Sequence, residues 1–380
     1  MKSESPFGPR PWLVLGALIS IHVGCANPSA PGRPGGNGLG GSTSTGGMAT
    51  TSGGTGGTAS GGAGGAAMAS GGNGAAGGAG GSTASLDAAA VVDGGSDVSA
   101  SDAGVTGDTK PGPPPPIADG TEYTKNGPYP LPPEAMPQPG VPVGTIMTFN
   151  TPRTWRLYVP RQYDPAVPAA FMVFQDGDLY GSRSGTFRTP NVLDNLIAKK
   201  ELPVMLAAFI PPGGNRSVEY DSLNDTYAKL IVEQILPMVE ARYKITKNPE
   251  GRGLGGQSSG GIAAFTAAWQ MPNQFRRVLS DNGSFTSIRG GNTYPDLIKA
   301  AERKPLRVTL LSSTNDINGT STAPNGWMQG NKNMAAALKE KGYPYIFMLG
   351  NGQHYPPVQA ASVHPMHLRW LWWDYVPDGT

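Results

Sequence analysis

Aromatic residues are missing from a long stretch near the N-terminus. Residues 13–122 contain no Phe, Tyr or Trp, although the 380-residue chain has 10 Phe, 13 Tyr and 7 Trp. A segment without large apolar side chains cannot bury enough surface to offset the entropy lost on ordering. Glycine and other small residues fill the same stretch. We therefore interpret residues 26–120 as a disordered linker rich in Gly, Ser, Thr, Ala and Pro, and expect the folded domain in residues 121–380.

Charged residues are also scarce, at 15% of the chain, and the formal net charge is only +2. Proteins that bind nucleic acid through phosphate contacts carry clustered basic residues, and no such cluster is present. The composition therefore excludes a polybasic protein and predicts no nucleic-acid partner. No feature of the sequence points to a partner protein.

Cysteine occurs once, at Cys25, which excludes internal disulfides. Residues 1–25 have a basic start and an apolar run at 12–21, too short to span a bilayer but typical of an export signal. Val23, Gly24 and Cys25 resemble the lipobox of bacterial lipoproteins, in which the cysteine is lipidated. The alternative is an ordinary cleaved signal. We expect an exported protein that is anchored to a membrane through Cys25, or secreted if Cys25 is not lipidated.

Short apolar runs alternate with helix-length amphipathic stretches after residue 121. This alternation predicts an α/β fold with a mostly parallel sheet of about eight strands and helices on both faces. The predicted strands are 145–149, 155–159, 171–174, 204–210, 252–255, 278–280, 307–311 and 345–349. The predicted helices are 191–200, 225–243, 259–269, 331–341 and 368–375.

A G-x-S-x-G motif lies where a predicted strand runs into a predicted helix, at residues 256–260 (GQSSG). A sharp strand-to-helix turn of this kind exposes the serine hydroxyl, and the glycines leave room for the turn. In a chain with 56 glycines the pentapeptide alone is a modest signal, and it could be another glycine-rich loop. The flanking strand and helix favour Ser258 as a nucleophile.

A serine nucleophile of this type needs a histidine base late in the chain. The chain has four histidines, and His22 belongs to the export signal. His354 follows the last predicted strand, where the base is expected. His364 and His367 lie at or inside the last predicted helix and are expected to be surface or packing residues; a metal-binding pair is a weak alternative.

The base needs an acid to orient its ring. Asp316 lies just beyond the predicted strand 307–311 and is the favoured acid. Asp281, after the preceding strand, is the alternative. The oxyanion hole is expected to combine the backbone N–H of Ser259 with that of Asp178 or Gly177, which follow the strand 171–174.

The sequence resembles the enterochelin esterase-like branch of the putative esterase family, which is esterase D-like. The resemblance covers about residues 144–375 and implies an α/β-hydrolase fold with a triad of Ser258, Asp316 and His354. That family includes siderophore, feruloyl and acetyl-xylan esterases and also acyltransferases, so it indicates the chemistry better than the substrate. The matching segments are Asp176-Gly177, 215–220 (NRSVEY), 256–261, Asn315-Asp316, Gln353-His354 and 368–372 (LRWLW).

Three functions fit these residues. The first is a serine esterase acting on a small-molecule or polysaccharide-linked ester, and Tyr180, Trp327 and Tyr355 near the expected cleft favour a carbohydrate or aryl ester. The second is an acyltransferase that uses the same acyl-enzyme. The third is a surface binding protein that retains the fold without turnover. No cofactor or metal motif is present, so none is expected.

Overall fold

The structure is a computed structural model that describes residues 117–317 and 326–377. The predicted export signal, Cys25 and almost all of the predicted linker lie outside these residues. Among the helices that the structure describes, none is both long and apolar enough to cross a bilayer.

A single mixed sheet forms the centre of the domain, and the predicted α/β class is confirmed. Its spatial order is β2-β3-β5-β4-β6-β7-β8-β9-β1, and only β3 pairs antiparallel, with β2 and β5. The strands are β1 (Thr121–Thr124), β2 (Thr145–Phe149), β3 (Trp155–Val159), β4 (Ala170–Gln175), β5 (Met205–Ile210), β6 (Arg252–Gln257), β7 (Arg277–Asp281), β8 (Arg307–Asn315) and β9 (Tyr345–Gln353).

The sheet has nine strands in the described residues, one more than predicted. The additional strand, β1, pairs in parallel with β9. Its four residues, Thr-Glu-Tyr-Thr, contain a single apolar side chain, so the sequence lacks the apolar run that marked the other strands.

Helices cover both faces of the sheet. They are α1 (Gly177–Tyr180), α2 (Thr189–Ala198), α3 (Arg216–Asp221), α4 (Thr226–Lys229), α5 (Leu236–Glu240), α6 (Ser259–Gln270), α7 (Tyr294–Ala300), α8 (Trp327–Glu340) and α9 (Val358–Trp372). A π-helical segment, Leu230–Ile235, joins α4 to α5, so the long helix predicted at 225–243 is continuous but irregular.

Two helices begin earlier in the chain than predicted. Helix α8 begins at Trp327, four residues before the predicted start, and Gly330 in its first turn lies against the Phe285 carbonyl, where a Cβ would collide. Helix α9 begins ten residues earlier than predicted, at Val358, and contains Pro365. A proline inside a helix removes one hydrogen bond and usually marks a boundary, so the sequence pattern favoured a later start.

Each face of the sheet has its own apolar core, because successive strand residues point to opposite faces. In β4, Phe171 and Val173 belong to the core that also contains side chains of α6 and α8, whereas Met172 and Phe174 belong to the core that contains side chains of α2 and α9. This two-sided burial explains why the central strands are apolar along their whole length.

Buried arginines close the edge of the sheet where the parallel strands begin. Arg277 and Arg307 are the first residues of β7 and β8, and they donate to the carbonyls of Leu371 and Trp370 at the end of α9. Asp119 pairs with Arg307 through two hydrogen bonds of 2.8 and 3.1 Å. The last carbonyls of a helix lack intrahelical donors, so these arginines satisfy them.

Candidate active site

Ser258 lies at the turn between β6 and α6, in a conformation that residues with side chains rarely adopt (φ 59°, ψ −122°). The glycines of the motif make this turn sterically feasible. A Cβ on Gly256 would lie 2.4 Å from the Gly260 backbone, and a Cβ on Gly260 would lie 2.6 Å from the Asp176 carboxylate. The chain therefore needs glycine at both positions to hold the serine hydroxyl out of the turn.

His354 connects the serine to a carboxylate. Its Nε2 lies 2.8 Å from Ser258 Oγ, and its Nδ1 lies 2.5 Å from Asp316 Oδ1. The three side chains follow the carboxyl ends of β6, β9 and β8, which lie at the same edge of the sheet. The structure therefore brings Ser258, His354 and Asp316 together in the order that the sequence analysis expected.

The Asp316 carboxylate is held by further donors. The backbone N–H of Ile317 donates to Oδ1 at 2.7 Å, and the side-chain amide of Asn282 donates to Oδ2 at 2.5 Å. Asn282 was missed by the sequence analysis, because its contact joins residues 34 positions apart.

Two other residues near His354 also went unnoticed. Gln257, directly before the serine, donates from Nε2 to the His354 carbonyl at 3.0 Å. Ser284 lies with its Oγ 3.4 Å from Ser258 Oγ and accepts a hydrogen bond from Trp327 Nε1 at 3.2 Å. The Trp327 ring packs edge-on against the His354 imidazole, at 5.4 Å between centroids.

A cleft of about 400 Å³ opens above Ser258 and His354. The other residues that line it include apolar or aromatic side chains (Leu179, Pro212 and Tyr355), charged ones (Asp176, Asp178 and Arg216) and the amide Gln257. Tyr355 is 74% exposed beside His354, so it is accessible to a bound molecule.

The backbone groups expected to form the oxyanion hole lie at this cleft. Ser259 is the first residue of α6, and Gly177 is the first residue of α1, followed by Asp178. The first N–H groups of a helix have no intrahelical acceptor. The Asp178 side chain points outward and pairs with Arg156 at 2.9 Å, so only its backbone is suited to the expected role.

Tyr180 does not lie at the cleft mouth, contrary to the sequence-based expectation. It is fully buried, stacks on Phe187, and donates to Asp281 Oδ2 at 3.1 Å. The amphipathic turn of α1 points this residue into the core. Asp281, the alternative acid, therefore faces Tyr180 and not His354, and burial raises its pKa to about 7.

His364 and His367 are buried packing residues of α9. His364 lies among Phe174, Tyr180 and Phe187, and burial lowers its pKa to about 3. Burial likewise lowers the pKa of His367 to about 3, and its Nε2 bonds the Tyr123 hydroxyl. In residues 117–317 and 326–377 no cluster of three or more His, Cys, Asp or Glu side chains is arranged to hold a metal ion.

Comparison with known protein families matches residues 146–340 to the family described as putative esterase. The chain belongs to the putative esterase family. This family assignment agrees with the resemblance seen in the sequence motifs.

Individual relatives of this putative esterase are distant. It is 26% identical over 212 residues to the uncharacterized protein YbbA of Bacillus subtilis, covering 50% of this chain and 80% of YbbA. The enterobactin esterase of Shigella flexneri is similar in structure, with a TM-score of 0.52 and 21% identity over 63% of this chain. The ferric enterobactin esterase of Salmonella typhimurium gives a TM-score of 0.51 and 20% identity, also over 63%.

The chain spans 62% of the Shigella enzyme and 61% of the Salmonella enzyme. At this level of identity the likeness shows a shared fold. It does not by itself assign a substrate.

Proposed function

We propose that the protein is an exported serine esterase that hydrolyses carboxylic esters through an acyl-enzyme. One observation carries this proposal: the His354 ring lies within hydrogen-bond distance of both the Ser258 hydroxyl and the Asp316 carboxylate. A serine hydroxyl is a weak nucleophile unless an oriented base removes its proton. Membership of the putative esterase family supports the same chemistry.

In the proposed reaction, Ser258 Oγ attacks the ester carbonyl while His354 Nε2 takes the serine proton. The carbonyl oxygen becomes negatively charged and accepts hydrogen bonds from the backbone N–H groups of Ser259 and Asp178. The tetrahedral intermediate collapses, the C–O bond to the alcohol breaks, and His354 returns the proton to the leaving alcohol. Water then attacks the acyl-enzyme with His354 again acting as the base, which releases the acid and restores Ser258.

Asp316 stabilises the imidazolium that forms in each half of the reaction. Its Oδ1 accepts the hydrogen bond from His354 Nδ1, which fixes the tautomer with a free Nε2 facing Ser258. The Asn282 amide on Oδ2 keeps the carboxylate in this orientation.

We propose a carbohydrate or aryl ester, such as an acetyl or feruloyl ester, or a siderophore ester, as the substrate. The cleft supports this class because Leu179, Pro212 and the exposed Tyr355 give it an apolar rim around the serine. Aromatic rings and sugar faces both pack well on an exposed tyrosine ring. The predicted export signal supports a substrate outside the cytoplasm, and we propose Cys25 as the lipid attachment site.

The test is hydrolysis of p-nitrophenyl acetate by the wild-type protein, Ser258→Ala and the neighbouring Ser259→Ala. Ser258→Ala is expected to lose at least about 1000-fold in kcat, because the nucleophile is gone. Ser259→Ala retains its backbone N–H and is expected to stay within about tenfold of the wild type. Equal rates for the wild type and Ser258→Ala would refute the esterase assignment.

A substrate panel then separates the proposed classes. Acetylated xylan, methyl ferulate, a catecholate triester and longer p-nitrophenyl esters would be compared by kcat/KM. A clear preference for the longest acyl chain would contradict the carbohydrate or aryl ester proposal. Faster product formation with added sugar alcohols, with the acyl group recovered on the sugar, would indicate acyl transfer.

A further inference from the structure

Helix α3 (Arg216–Asp221) contacts both segments that carry the proposed oxyanion donors. On one side, Arg216 Nε and Nη2 donate to the two carboxylate oxygens of Asp176 at 2.8 and 2.7 Å. Asp176 immediately precedes Gly177 and Asp178. A bidentate arginine–carboxylate pair fixes both the distance and the plane of the carboxylate.

The backbone of Asp176 needs such support. Its φ and ψ are 53° and 51°, in the left-handed region that is unfavourable for a residue with a side chain. The Tyr220 hydroxyl accepts from the Asp176 N–H at 3.2 Å and donates to the Ile210 carbonyl at 3.2 Å. Arg216 and Tyr220 therefore hold the side chain and the N–H of the same strained residue.

The other end of α3 reaches the segment after the nucleophile. Asp221, the last residue of α3, is buried, and burial raises the pKa of its carboxyl while the side chains of Ser217 and Ser259 act in the opposite direction. Arg216 Nη2 also donates to the carbonyl of Gln257, the residue before Ser258, at 3.3 Å. One six-residue helix thus joins the start of α1 to the Ser258 turn.

We propose that Arg216 and Tyr220 are positioning residues that set the second oxyanion donor at its distance from Ser258. Neither residue is proposed to bind the oxyanion. They act through Asp176, whose left-handed conformation directs the N–H groups of Gly177 and Asp178. This inference rests on the proposed esterase function, because the donors matter only if charge develops on a substrate oxygen.

Removal of Arg216 has two consequences for the transition state. The start of α1 loses the contact that fixes it, so the second donor moves away from the developing charge. The Asp176 carboxylate also loses its counter-ion close to that charge. Both effects grow as the oxyanion forms, so they lower kcat and leave the binding of the uncharged ester almost unchanged.

The experiment compares Arg216→Ala, Arg216→Lys and Tyr220→Phe with wild-type protein on p-nitrophenyl acetate. We expect Arg216→Ala to lower kcat by about 10- to 100-fold with KM within about threefold of the wild type. Arg216→Lys restores the charge but not the bidentate geometry, so its kcat should be intermediate. Tyr220→Phe leaves the Asp176 N–H without its acceptor and should also lower kcat.

Arg153→Ala is the matched control. Arg153 pairs with Glu219 of helix α3 at 2.5 Å. Its side chain is 23% exposed, compared with 37% for Arg216, but it does not contact Asp176. Its kcat should stay within about twofold of the wild type. An equal loss of kcat in Arg153→Ala and Arg216→Ala would mean that α3 acts through general stability, and would overturn the inference.

A double-mutant cycle tests whether Arg216 acts through Asp176. The loss of kcat in Arg216→Ala combined with Asp176→Asn should be smaller than the product of the two single losses. The inference would be overturned if the two single losses of kcat multiplied in the double variant. It would also be overturned if the kcat of Arg216→Ala stayed within about twofold of the wild type.

Hydrogen exchange at the Gly177 and Asp178 amides supplies a readout that does not depend on turnover. Faster exchange confined to residues 175–180 in Arg216→Ala is expected, and unchanged exchange there would overturn the inference. The Ser258→Ala variant distinguishes a failure of the esterase assignment from a failure of the positioning role of Arg216. If wild type and Ser258→Ala were equally inactive, the esterase assignment would fail, and the exchange result would still decide whether Arg216 positions this segment.

Discussion

Asn282 donates its side-chain amide to the carboxylate oxygen of Asp316 that His354 does not use. The amide lies 2.5 Å from Oδ2, while His354 Nδ1 lies 2.5 Å from Oδ1. Asn282 has a positive φ of 47°, which asparagine tolerates better than most residues. Asn282 directly follows β7. This one residue therefore both adopts the positive φ and donates to the Asp316 carboxylate, which lies just after the neighbouring strand β8.

Asn282→Gly tests this contact without straining the backbone, since glycine accepts a positive φ. We expect kcat for p-nitrophenyl acetate to fall about tenfold, which corresponds to one hydrogen bond to a charged group. Asn282→Asp should be worse, because a second carboxylate beside Asp316 would repel it and could not donate to Oδ2. Circular dichroism would establish that both variants are folded, and an unchanged kcat in Asn282→Gly would show that the triad does not need the donor on Asp316 Oδ2.

A second prediction separates the two candidate acids. Asp316→Asn should lower kcat by about 100- to 10,000-fold, because an amide misorients the imidazole and cannot stabilise its charge. Asp281→Asn should change kcat little, since Asp281 contacts Tyr180 and lies 4.0 Å from His367. Because the two substitutions are chemically identical, each is the control for the other. The reverse order of severity would mean that Asp281 and not Asp316 orients the base.

The third prediction concerns stability against pH. Burial lowers the pKa of His364 and His367 from 6.5 to about 3, so between these values the unfolded chain binds protons that the folded one excludes. Stability is therefore lost as the pH falls below 6.5. Burial also raises the pKa of Asp281 from 3.8 to about 7, which acts in the opposite direction because the folded chain keeps that proton. Two histidines outweigh one aspartate, so these three groups together should lower the free energy of unfolding by about 1.4 kcal/mol per pH unit as the pH falls from 6 to 4.

Urea unfolding of the wild type and His364→Leu between pH 4 and 7 measures this slope. His364→Leu removes one of the two buried histidines and should cancel most of the net pH dependence. Its stability at pH 7 should nevertheless be lower, because the bond between His364 Nε2 and Thr189 is lost. Parallel pH profiles for the two proteins would show that His364 does not titrate differently on unfolding.

The sequence predicted the parts of the fold that depend on local pattern. Eight strands and the elbow at Ser258 followed from apolar runs and from glycine spacing, which are properties of neighbouring residues. Strand β1 was missed because its four residues are held by pairing with β9 and not by apolar content. The early start of α9 was missed because tertiary packing keeps Pro365 inside a helix that its own propensity opposes.

In the candidate site, too, only the features that depend on local sequence were predictable. The order of Ser258, Asp316 and His354 along the chain was readable, because each follows a predicted strand. The roles of Asn282 and Arg216 were not, since they depend on contacts between residues 34 and 40 positions apart. Tyr180 was assigned to the cleft because sequence position near a loop does not reveal which way a side chain points.

The direction of β1 determines where the preceding chain joins the domain. Strand β1 runs parallel to β9, so Thr121 lies beside Ile346 at the start of β9, while His354 follows its other end. The N-terminal entry and the cleft therefore occupy opposite edges of the sheet. The lining of the cleft accordingly comes from residues 176–258 and from His354 and Tyr355, and none of residues 117–124, which form the entry of the described chain and β1, takes part in it.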